Sequence, residues 1–398
     1  MTTIHRACRC CVSSAILAVT GVGLTCSVNA QLSFTGLGIR SSGMIGVSND
    51  GSIVGGGSLD AFRWTTATGA VELPNLPDHD SNFGSGVSGN GAVIVGWSSS
   101  ETAITAFRHT AGEGISALPT LEGATATFAW GVSADGSIVV GDSQPVTGSA
   151  QQATRWIGSN DPELLPFLPG GDRSRAQAIS ADGSTIVGFA YDSDGQQVAV
   201  RWSGDEDPVE LGTGTDRDVV FSNALGVSAD GRFIVGENFI DPEHRSEAFL
   251  WSTETGTVGL GLLEGSAYTQ ATGVSADGSI VIGVGPAEGF VWTPETGMLN
   301  LLETLRNSFG LGEQLLDWGG LLPTALSPDG RYIVGTGTHN SESEPWLLDR
   351  GANPPPWSSS MTPIPEPSGY ALAGAGLVVA MILRRRCTSM SRRGIQVK

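Results

Sequence analysis

One tripeptide, a small residue followed by an aliphatic residue and serine, recurs seven times along the chain. The copies begin at Gly46, Gly86, Gly131, Ala178, Gly226, Gly273 and Ala325. Each copy continues into an Asp-Gly or Asn-Gly pair and then into an apolar run that ends in glycine, as in Ile138-Val139-Val140-Gly141. A period of 40 to 52 residues is typical of repeat architectures. The chain is therefore predicted to repeat one supersecondary unit.

Each copy predicts four strands. An Asp-Gly pair between two apolar runs predicts a β-hairpin with a type I′ turn, in which both central residues have positive φ. A third strand follows, and its period of two places Phe62 and Trp64 on one face and Arg63 on the other. A Thr-Gly turn such as Thr255-Gly256 then leads to a fourth strand, of which Val71-Glu72-Leu73 is an example. The predicted unit is a four-stranded meander.

Seven such units predict an all-β fold, a seven-bladed β-propeller over residues 31–350, because four strands in 40 to 52 residues is the size of a blade. The seventh copy ends at its third strand, 345–348, while an unassigned strand at 32–38 precedes the first copy. We expect this N-terminal strand to complete the last blade and close the ring. An open β-solenoid is the alternative, although its repeats are usually shorter. A short helical insertion is expected over 301–316, where leucines have helical spacing.

The first 30 residues have the pattern of a secretory signal peptide, with a basic start, an apolar stretch and small residues at the end. Cleavage is predicted between Ala30 and Gln31. A lipoprotein signal acylated at Cys26 is the alternative, but Thr25 stands where such signals prefer a smaller residue. Sequencing the mature N-terminus distinguishes the two, since a lipid-blocked Cys26 would contradict cleavage after Ala30.

The C-terminal region has three parts. A Pro- and Ser-rich linker spans 351–363, and the segment 364–386 contains Pro365, Glu366, Pro367, an apolar stretch over 369–383, and then Arg384, Arg385 and Arg386. The apolar stretch predicts a single transmembrane helix, although fifteen residues rise only about 22 Å, short of a hydrocarbon core of about 30 Å. The arginines favour the cytoplasmic side, so 387–398 is predicted to be a short cytoplasmic tail and the propeller to lie outside.

This C-terminal arrangement resembles the PEP-CTERM sorting signal, which combines a Pro-Glu-Pro tripeptide, one short hydrophobic segment and a basic cluster. The resemblance implies a Gram-negative bacterium, transient anchoring in the inner membrane and processing by an exosortase, a membrane transpeptidase that cuts near the tripeptide during surface sorting. The chain departs from the family pattern by continuing past the arginines to Lys398. A simple tail anchor is the alternative.

The repeats, over residues 46–349, resemble HAF-type extracellular repeats, whose signature is His-Ala-Phe followed by an apolar residue and Trp. The position of the signature histidine holds other residues here, among them Asp60, Thr105 and Gln152. The resemblance implies export and propeller-like repeats, and it implies no established activity.

Charge and cysteine content exclude several classes of function. Residues 31–363 contain 39 acidic and 13 basic residues, a net charge of −26, which should repel nucleic acid and anionic lipid. All five cysteines, Cys8, Cys10, Cys11, Cys26 and Cys387, lie in the terminal segments. The mature domain is therefore expected to contain no disulfide, thiol nucleophile or cysteine-ligated metal.

The sequence predicts no catalytic residue and no metal ligand set. The histidines His79, His109, His244 and His339 lack zinc-binding spacing, and His109 occupies a position that other copies give to Trp. No cofactor is expected, apart from calcium, which remains open at the acidic loops 192–195 and 205–207.

Three functions remain open. The leading hypothesis is a non-catalytic surface protein that binds exopolysaccharide or another surface protein at one mouth of the propeller. A polysaccharide-active lyase or glycosidase is the alternative, and a glycosidase would need paired carboxylates. A structural spacer is the third. Exposed aromatic side chains at a mouth would favour glycan binding, whereas clustered His, Arg, Tyr or carboxylates would favour an enzyme. The loops 142–152 and 238–247 are the first places to look.

Overall fold

The computed structural model describes residues 32–40, 43, 45–55, 61–145, 151–214, 219–240, 245–351 and 357. These residues form 28 strands and one helix, which confirms the prediction of an all-β fold. The predicted cleavage site at Ala30 and Gln31, the Pro365-Glu366-Pro367 motif and the arginines 384–386 lie outside the described residues. In the described ranges no helix has the length and apolar character needed to cross a membrane, and the predicted transmembrane segment 369–383 is not among them.

The strands fall into four-stranded antiparallel units. Unit 1 contains β2 Ile45–Val47, β3 Ile53–Gly55, β4 Phe62–Thr65 and β5 Gly69–Glu72; unit 2 contains β6 Ser81–Val87, β7 Val93–Ser99, β8 Ile104–Thr110 and β9 Gly114–Ala117. Unit 3 contains β10 Ala124–Val132, β11 Ile138–Pro145, β12 Gln152–Ile157 and β13 Glu163–Leu164; unit 4 contains β14 Ser174–Ile179, β15 Thr185–Tyr191, β16 Gln197–Ser203 and β17 Val209–Glu210. Unit 5 contains β18 Val219–Val227, β19 Phe233–Ile240, β20 Arg245–Ser252 and β21 Gly256–Gly259. Unit 6 contains β22 Gln270–Val274, β23 Val281–Val284, β24 Gly289–Thr293 and β25 Gly297–Asn300, followed by α1 Leu301–Ser308; unit 7 contains β26 Trp318–Leu326, β27 Tyr332–His339, β28 Glu342–Asp349 and β1 Ser33–Gly36.

Within each of units 1 to 6 the strands pair in chain order. Units 2 and 3 are joined into one eight-stranded sheet by a parallel bridge between Ile104 and Ala126. The first strand of each unit contacts the first strand of the next, and β2 contacts both β6 and β26. These first strands therefore surround a central channel of about 220 Å³, which is lined by the recurring tripeptides of all seven units.

The N-terminal strand closes the ring as predicted. β1 pairs antiparallel with β28, from Ser33 opposite Asp349 to Gly36 opposite Trp346. Phe34 packs on Trp346 with ring centroids 5.7 Å apart. Strands from the two ends of the chain thus share one sheet, which leaves β28 no unpaired edge.

The hairpins at the Asp-Gly pairs are present, but their predicted type I′ turns are wrong. In unit 3 Gly136 has a φ of 77°, whereas Asp135 is not among the non-glycine residues with positive φ. Asp135 instead accepts hydrogen bonds from the Ser133 hydroxyl at 2.7 Å and the Ser137 amide at 2.8 Å. Side-chain capping by the carboxylate therefore favours a wider loop than the two-residue turn. The positive φ values at both central residues occur instead between β27 and β28, at Asn340 and Ser341.

In units 2 to 7 the glycine that ends the apolar run is required by a β-bulge in the neighbouring first strand. In unit 3 the pairing of β10 with β11 shifts register between Ala129 and Gly131. The bulge moves the Phe128 carbonyl oxygen so close to Gly141 that a Cβ there would lie 1.8 Å from it. The same close approach occurs at Gly96, Gly188, Gly236, Gly283 and Gly335. Only glycine fits at this position.

A repeated side-chain contact fastens neighbouring units to each other. The Thr127 hydroxyl in unit 3 accepts a hydrogen bond from the Ala106 amide in unit 2 at 2.8 Å. Equivalent bonds link Ala61 to Asn82, Ala153 to Ser174, Ala199 to Ser222 and Ala248 to Thr269. Each bond satisfies an amide at the start of a third strand that is buried between two sheets.

The helical insertion is shorter than predicted. Helix α1 ends at Ser308, and the Asn300 side chain caps its first turn by accepting from the Glu303 amide. Trp357, which belongs to the predicted linker 351–363, is buried against the end of this insertion, 4.9 Å from the Phe309 ring. At this residue the chain still packs on the domain.

Candidate functional site

The channel has two chemically different ends. Because first and second strands are antiparallel, the Ser-x-Asp-Gly and Ser-x-Asn-Gly turns of all units lie at one end, here called the turn mouth. The first strands begin, and the second strands finish, at the opposite end. There Phe83, Trp97, Phe128 and Trp130 gather, and these four residues define the aromatic mouth.

The four rings of the aromatic mouth form one continuous cluster across units 2 and 3. Phe83 stacks on its cross-strand partner Trp97, with centroids 4.2 Å apart. Trp97 reaches into unit 3, where its ring lies 5.5 Å from Phe128 and 4.9 Å from Trp130. All four side chains are only partly buried. They present a shared apolar surface to solvent at the channel end.

Trp130 faces the channel because it is the extra residue of the bulge in β10. Bulged residues leave the regular alternation of the strand, and a bulge re-aims the side chain. The equivalent bulge residues in other units also line the channel, and they are small, polar or aliphatic: Ser85, Gln177, Leu225, Thr272 and Thr324. Trp130 is therefore the aromatic member of this set.

A buried carboxylate contacts two residues of this region, Trp130 and Arg175. Asp142, fully buried in β11, accepts a hydrogen bond from Trp130 Nε1 at 2.7 Å. Its Oδ1 also lies 3.2 Å from Nε of Arg175 in unit 4. Burial raises the pKa of Asp142 against the opposing effect of Arg175. Asp142 thus fixes the orientation of both Trp130 and Arg175.

In unit 4 the surface beside the aromatic mouth carries arginine side chains. The Arg175 guanidinium carbon lies 5.1 Å from the Trp130 ring centroid and 5.7 Å from that of Phe189. Arg173 lies 5.1 Å from the Tyr191 centroid. Arginine stacked on aromatic faces is stabilised by cation–π attraction. These arginines place positive charge beside the aromatic mouth of an otherwise acidic domain.

A second polar group lies at the same end in unit 5. Glu237 accepts hydrogen bonds from the Ser246 hydroxyl and from Gln270 Nε2, both at 2.7 Å. Burial and the nearby Glu237 charge raise the pKa of Tyr268 to about 12. A phenol with so high a pKa stays protonated, so this group is suited to hydrogen bonding rather than to base catalysis.

The described histidines make separate contacts. His79 bonds to the Pro77 carbonyl and to Thr105, while His109 is half-buried in a Trp position, where burial and the Arg63 charge lower its pKa. His339 pairs with Glu344 at 2.6 Å and stacks on Trp318. His244 lies outside the described residues.

The acidic loops considered for calcium are engaged in other contacts. Asp192 accepts from the backbone amides of Asp194 and Gln196, and Asp205 pairs with Arg155. Across the part of the chain that the structure describes, no three His, Cys, Asp or Glu residues are placed to hold a metal ion.

Sequence reasoning missed the residues of the aromatic mouth. It named the loop 142–152 as a place to look, and Asp142 does lie at the site, but the four rings and Arg175 were not identified. Aligning the units would have singled out Trp97 and Asp142. The residue after the glycine of the second strand is Trp97, Asp142, Phe189, Glu237, Val284 and Thr336 in units 2 to 7, so this position breaks the repeat.

Comparisons with known proteins bear on the fold. No protein-family model and no curated protein matches the chain. An oligogalacturonate lyase from Vibrio parahaemolyticus superposes with a TM-score of 0.52 at 10% identity, over 82% of this chain and 98% of the lyase. An oligogalacturonate lyase in complex with manganese gives 0.50 at 13% identity, over 81% and 94%. The fold is a β-propeller. The β-propeller domain of Myceliophteria thermophila Cps50 (Swd1) gives 0.49 at 11% identity, over 77% of this chain and 98% of that domain.

At these identities the likeness extends to the β-propeller fold alone. Function has to be argued from the aromatic mouth.

Proposed function

We propose that this chain is an exported cell-surface protein, a seven-bladed β-propeller that binds a surface or matrix glycan at its aromatic mouth without catalysing a reaction. The continuous cluster of Phe83, Trp97, Phe128 and Trp130 is the observation that carries the proposal. The ring of first strands around one channel supports the blade number.

Glycans suit this surface because a sugar ring has an apolar face and a rim of hydroxyl groups. The partly exposed rings offer the apolar contact, and large aromatic side chains dominate binding energy at recognition sites. Hydroxyl groups at the edge of the cluster offer the polar contact, since Ser81 and Ser99 lie there with their oxygens 2.7 Å apart. Binding sites generally combine such an apolar floor with a few placed polar groups.

The net charge of −26 over residues 31–363 argues against the other large ligands. Nucleic acid and anionic membranes are bound through phosphate contacts that need clustered basic residues, and long-range repulsion opposes them here. A glycan can bind without a cluster of basic residues.

The terminal segments support the proposed location. Residues 1–30 would direct export, with cleavage between Ala30 and Gln31, and Pro365-Glu366-Pro367 followed by Arg384-Arg385-Arg386 would present the chain to an exosortase. Transient anchoring in the inner membrane would then precede release or display at the surface.

The binding proposal is tested with a glycan array probed by the full-length protein, followed by titration calorimetry on the best ligand. Trp97→Ala should weaken binding at least about tenfold, because truncating a central aromatic anchor removes most of its contact. Trp97→Leu, which keeps apolar volume but no aromatic face, should show the same direction and guards against a folding defect.

Phe239→Ala is the matched control, because Phe239 also stacks on a cross-strand phenylalanine at the same end, 5.1 Å from Phe221, but in unit 5. It should leave the affinity unchanged. If wild-type protein retains no glycan, or if Phe239→Ala weakens binding as much as Trp97→Ala does, the proposal is wrong.

A further inference from the structure

Arg175 occupies a distinctive position in the aromatic mouth. It stands three residues before the opening residue of its unit's tripeptide, where units 2 and 3 have Phe83 and Phe128. Its guanidinium lies between two rings, 5.1 Å from the Trp130 centroid and 5.7 Å from the Phe189 centroid. A planar cation held in this way loses little further freedom when it binds a ligand.

The buried side of this guanidinium is already occupied. Nε lies 3.2 Å from Asp142 Oδ1, and Asp142 is in turn held by Trp130 Nε1. The contact is an ion pair without an aligned hydrogen bond at Nε, and the two flanking rings limit how the guanidinium plane can turn.

The outer side remains free among the described residues. None of the hydrogen bonds among the described residues involves Nη1 or Nη2 of Arg175, and the side chain keeps 27% of its surface exposed. Two parallel N–H donors match the two oxygens of a carboxylate, which is the strongest pairing available to arginine.

We infer that the glycan bound at the aromatic mouth carries carboxylate groups, as a uronic-acid oligosaccharide does, and that the Nη1 and Nη2 groups of Arg175 bind one of them. This inference rests on the proposed function and specifies its ligand. Arg173, whose guanidinium lies 5.1 Å from the Tyr191 centroid, is itself 3.8 Å from the Asp172 carboxylate, so the contact with the ligand is assigned to Arg175.

The acidic surface of the domain does not prevent this binding. Long-range repulsion between exposed charges is screened beyond about 8 Å at physiological salt. A short oligosaccharide carries few charges, and a direct contact with a fixed guanidinium acts inside that distance. Recognition of the carboxylate is therefore local, and it depends on Arg175 more than on net charge.

The test compares two ligands of equal size, an oligogalacturonide and its fully methyl-esterified form, by titration calorimetry with the full-length protein. Wild-type protein should bind the acid at least about tenfold more tightly than the ester, as expected for a charge-assisted pair. Arg175→Gln should abolish this preference, so that the variant binds the acid and the ester with equal affinity. Arg175→Lys, which retains charge but not the paired donors, should lose most of it.

Arg232→Gln serves as the control, since Arg232 is exposed at the turn mouth beside Asp230. It should keep the preference for the acid. Equal wild-type affinity for acid and ester, or a preference that survives in Arg175→Gln, would overturn the carboxylate inference but leave glycan binding standing. Failure of wild-type protein to bind either ligand or any other glycan would overturn both.

Discussion

The two ends of the channel differ in how closely the units resemble one another in sequence. At the turn mouth every unit presents the same Ser-x-Asp-Gly or Ser-x-Asn-Gly turn, with the serine buried. At the aromatic mouth the corresponding positions change from unit to unit, from Trp97 to Asp142 to Phe189. The residues that all units share close a hairpin and pack against a neighbouring unit, which every unit has to do. The positions that differ are free to serve a ligand.

The contacts at the turn mouth show how the shared turns pack against neighbouring units. In five units the turn glycine lies against the start of the second strand in the unit before it, as Gly136 does against Val93. Backbone hydrogen bonds also run from turn to turn, for example from Ala134 to Ala181 and from Ala181 to Ala229. At the opposite end neighbouring units are also joined by repeated bonds, such as Ala106 to Thr127, but the ring and charged positions around them differ from unit to unit.

The largest expected effect comes from a pair of glycines with the same backbone angle. Gly136 at the turn mouth and Gly195 at the other end both have a φ of 77°. A Cβ at Gly136 would lie 2.6 Å from Val93 Cγ2, whereas nothing lies within 4 Å of one at Gly195. Gly195→Ala should cost about 1–2 kcal/mol for the left-handed conformation alone. Gly136→Ala should cost about 1–3 kcal/mol more through overpacking.

Chemical denaturation of the two variants measures this difference. Equal losses of unfolding free energy would mean that the turn mouth is not packed more tightly than the opposite end, and the comparison between the two ends would fail.

A smaller effect is expected from the serine of the turn. In unit 4 the buried Ser180 hydroxyl donates to Asp182 at 2.6 Å and accepts from the Thr185 amide at 3.0 Å. Ser180→Ala leaves that amide without a partner in a buried site and should lower the free energy of unfolding by about 1–3 kcal/mol. Ser193→Ala, on the exposed hairpin at the other end of the same unit, should change it by less than about 0.5 kcal/mol. Thermal unfolding of both variants checks the prediction, which a stable Ser180→Ala variant would contradict.

The smallest effect is a dependence on pH that belongs to the turn mouth. Hydrogen bonds from Ser133 and Ser137 lower the pKa of Asp135 from 3.8 to about 2. A carboxyl with a depressed folded-state pKa contributes stability above its unfolded pKa and loses it as the pH falls through the folded one. Asp135→Asn removes this contribution, so it should lower the stability at neutral pH and reduce the further loss between pH 4 and pH 2, which are about the two pKa values.

Unit 2 supplies the reverse experiment. Asn90 makes the same contacts as Asp135, accepting from the Ser88 hydroxyl at 2.6 Å and the Ala92 amide at 3.0 Å. Asn90→Asp should increase the acid sensitivity that Asp135→Asn decreases. Melting temperatures at pH 5 and pH 2.5 measure both changes, and parallel curves for all three proteins would argue against the carboxylate contribution.

Much of the fold could be predicted because the same pattern of tripeptide, turn pair and apolar run occurs seven times in the sequence. The strands and hairpins follow from local patterns of alternation. The pairing of the strand at 33–36 follows from counting strands, because the last copy lacks a fourth strand and one unassigned strand precedes the first copy. The turn type could not be predicted, because it depends on how the Asp135 carboxylate caps its own loop. The burial of Trp357 could not be predicted either, since it depends on where the Phe309 ring lies in space.

The sequence by itself determined the all-β unit, its recurrence along the chain and the partner of the first strand, since each depends on residues close together or on a period. Only the tertiary structure placed Trp97, Trp130, Asp142 and Arg175 side by side, because they come from three units and meet through the packing of neighbouring sheets. The bulge in β10 that turns Trp130 toward the channel has no marker in the strand itself. Repeated local patterns specified the scaffold, and long-range packing assembled the candidate site.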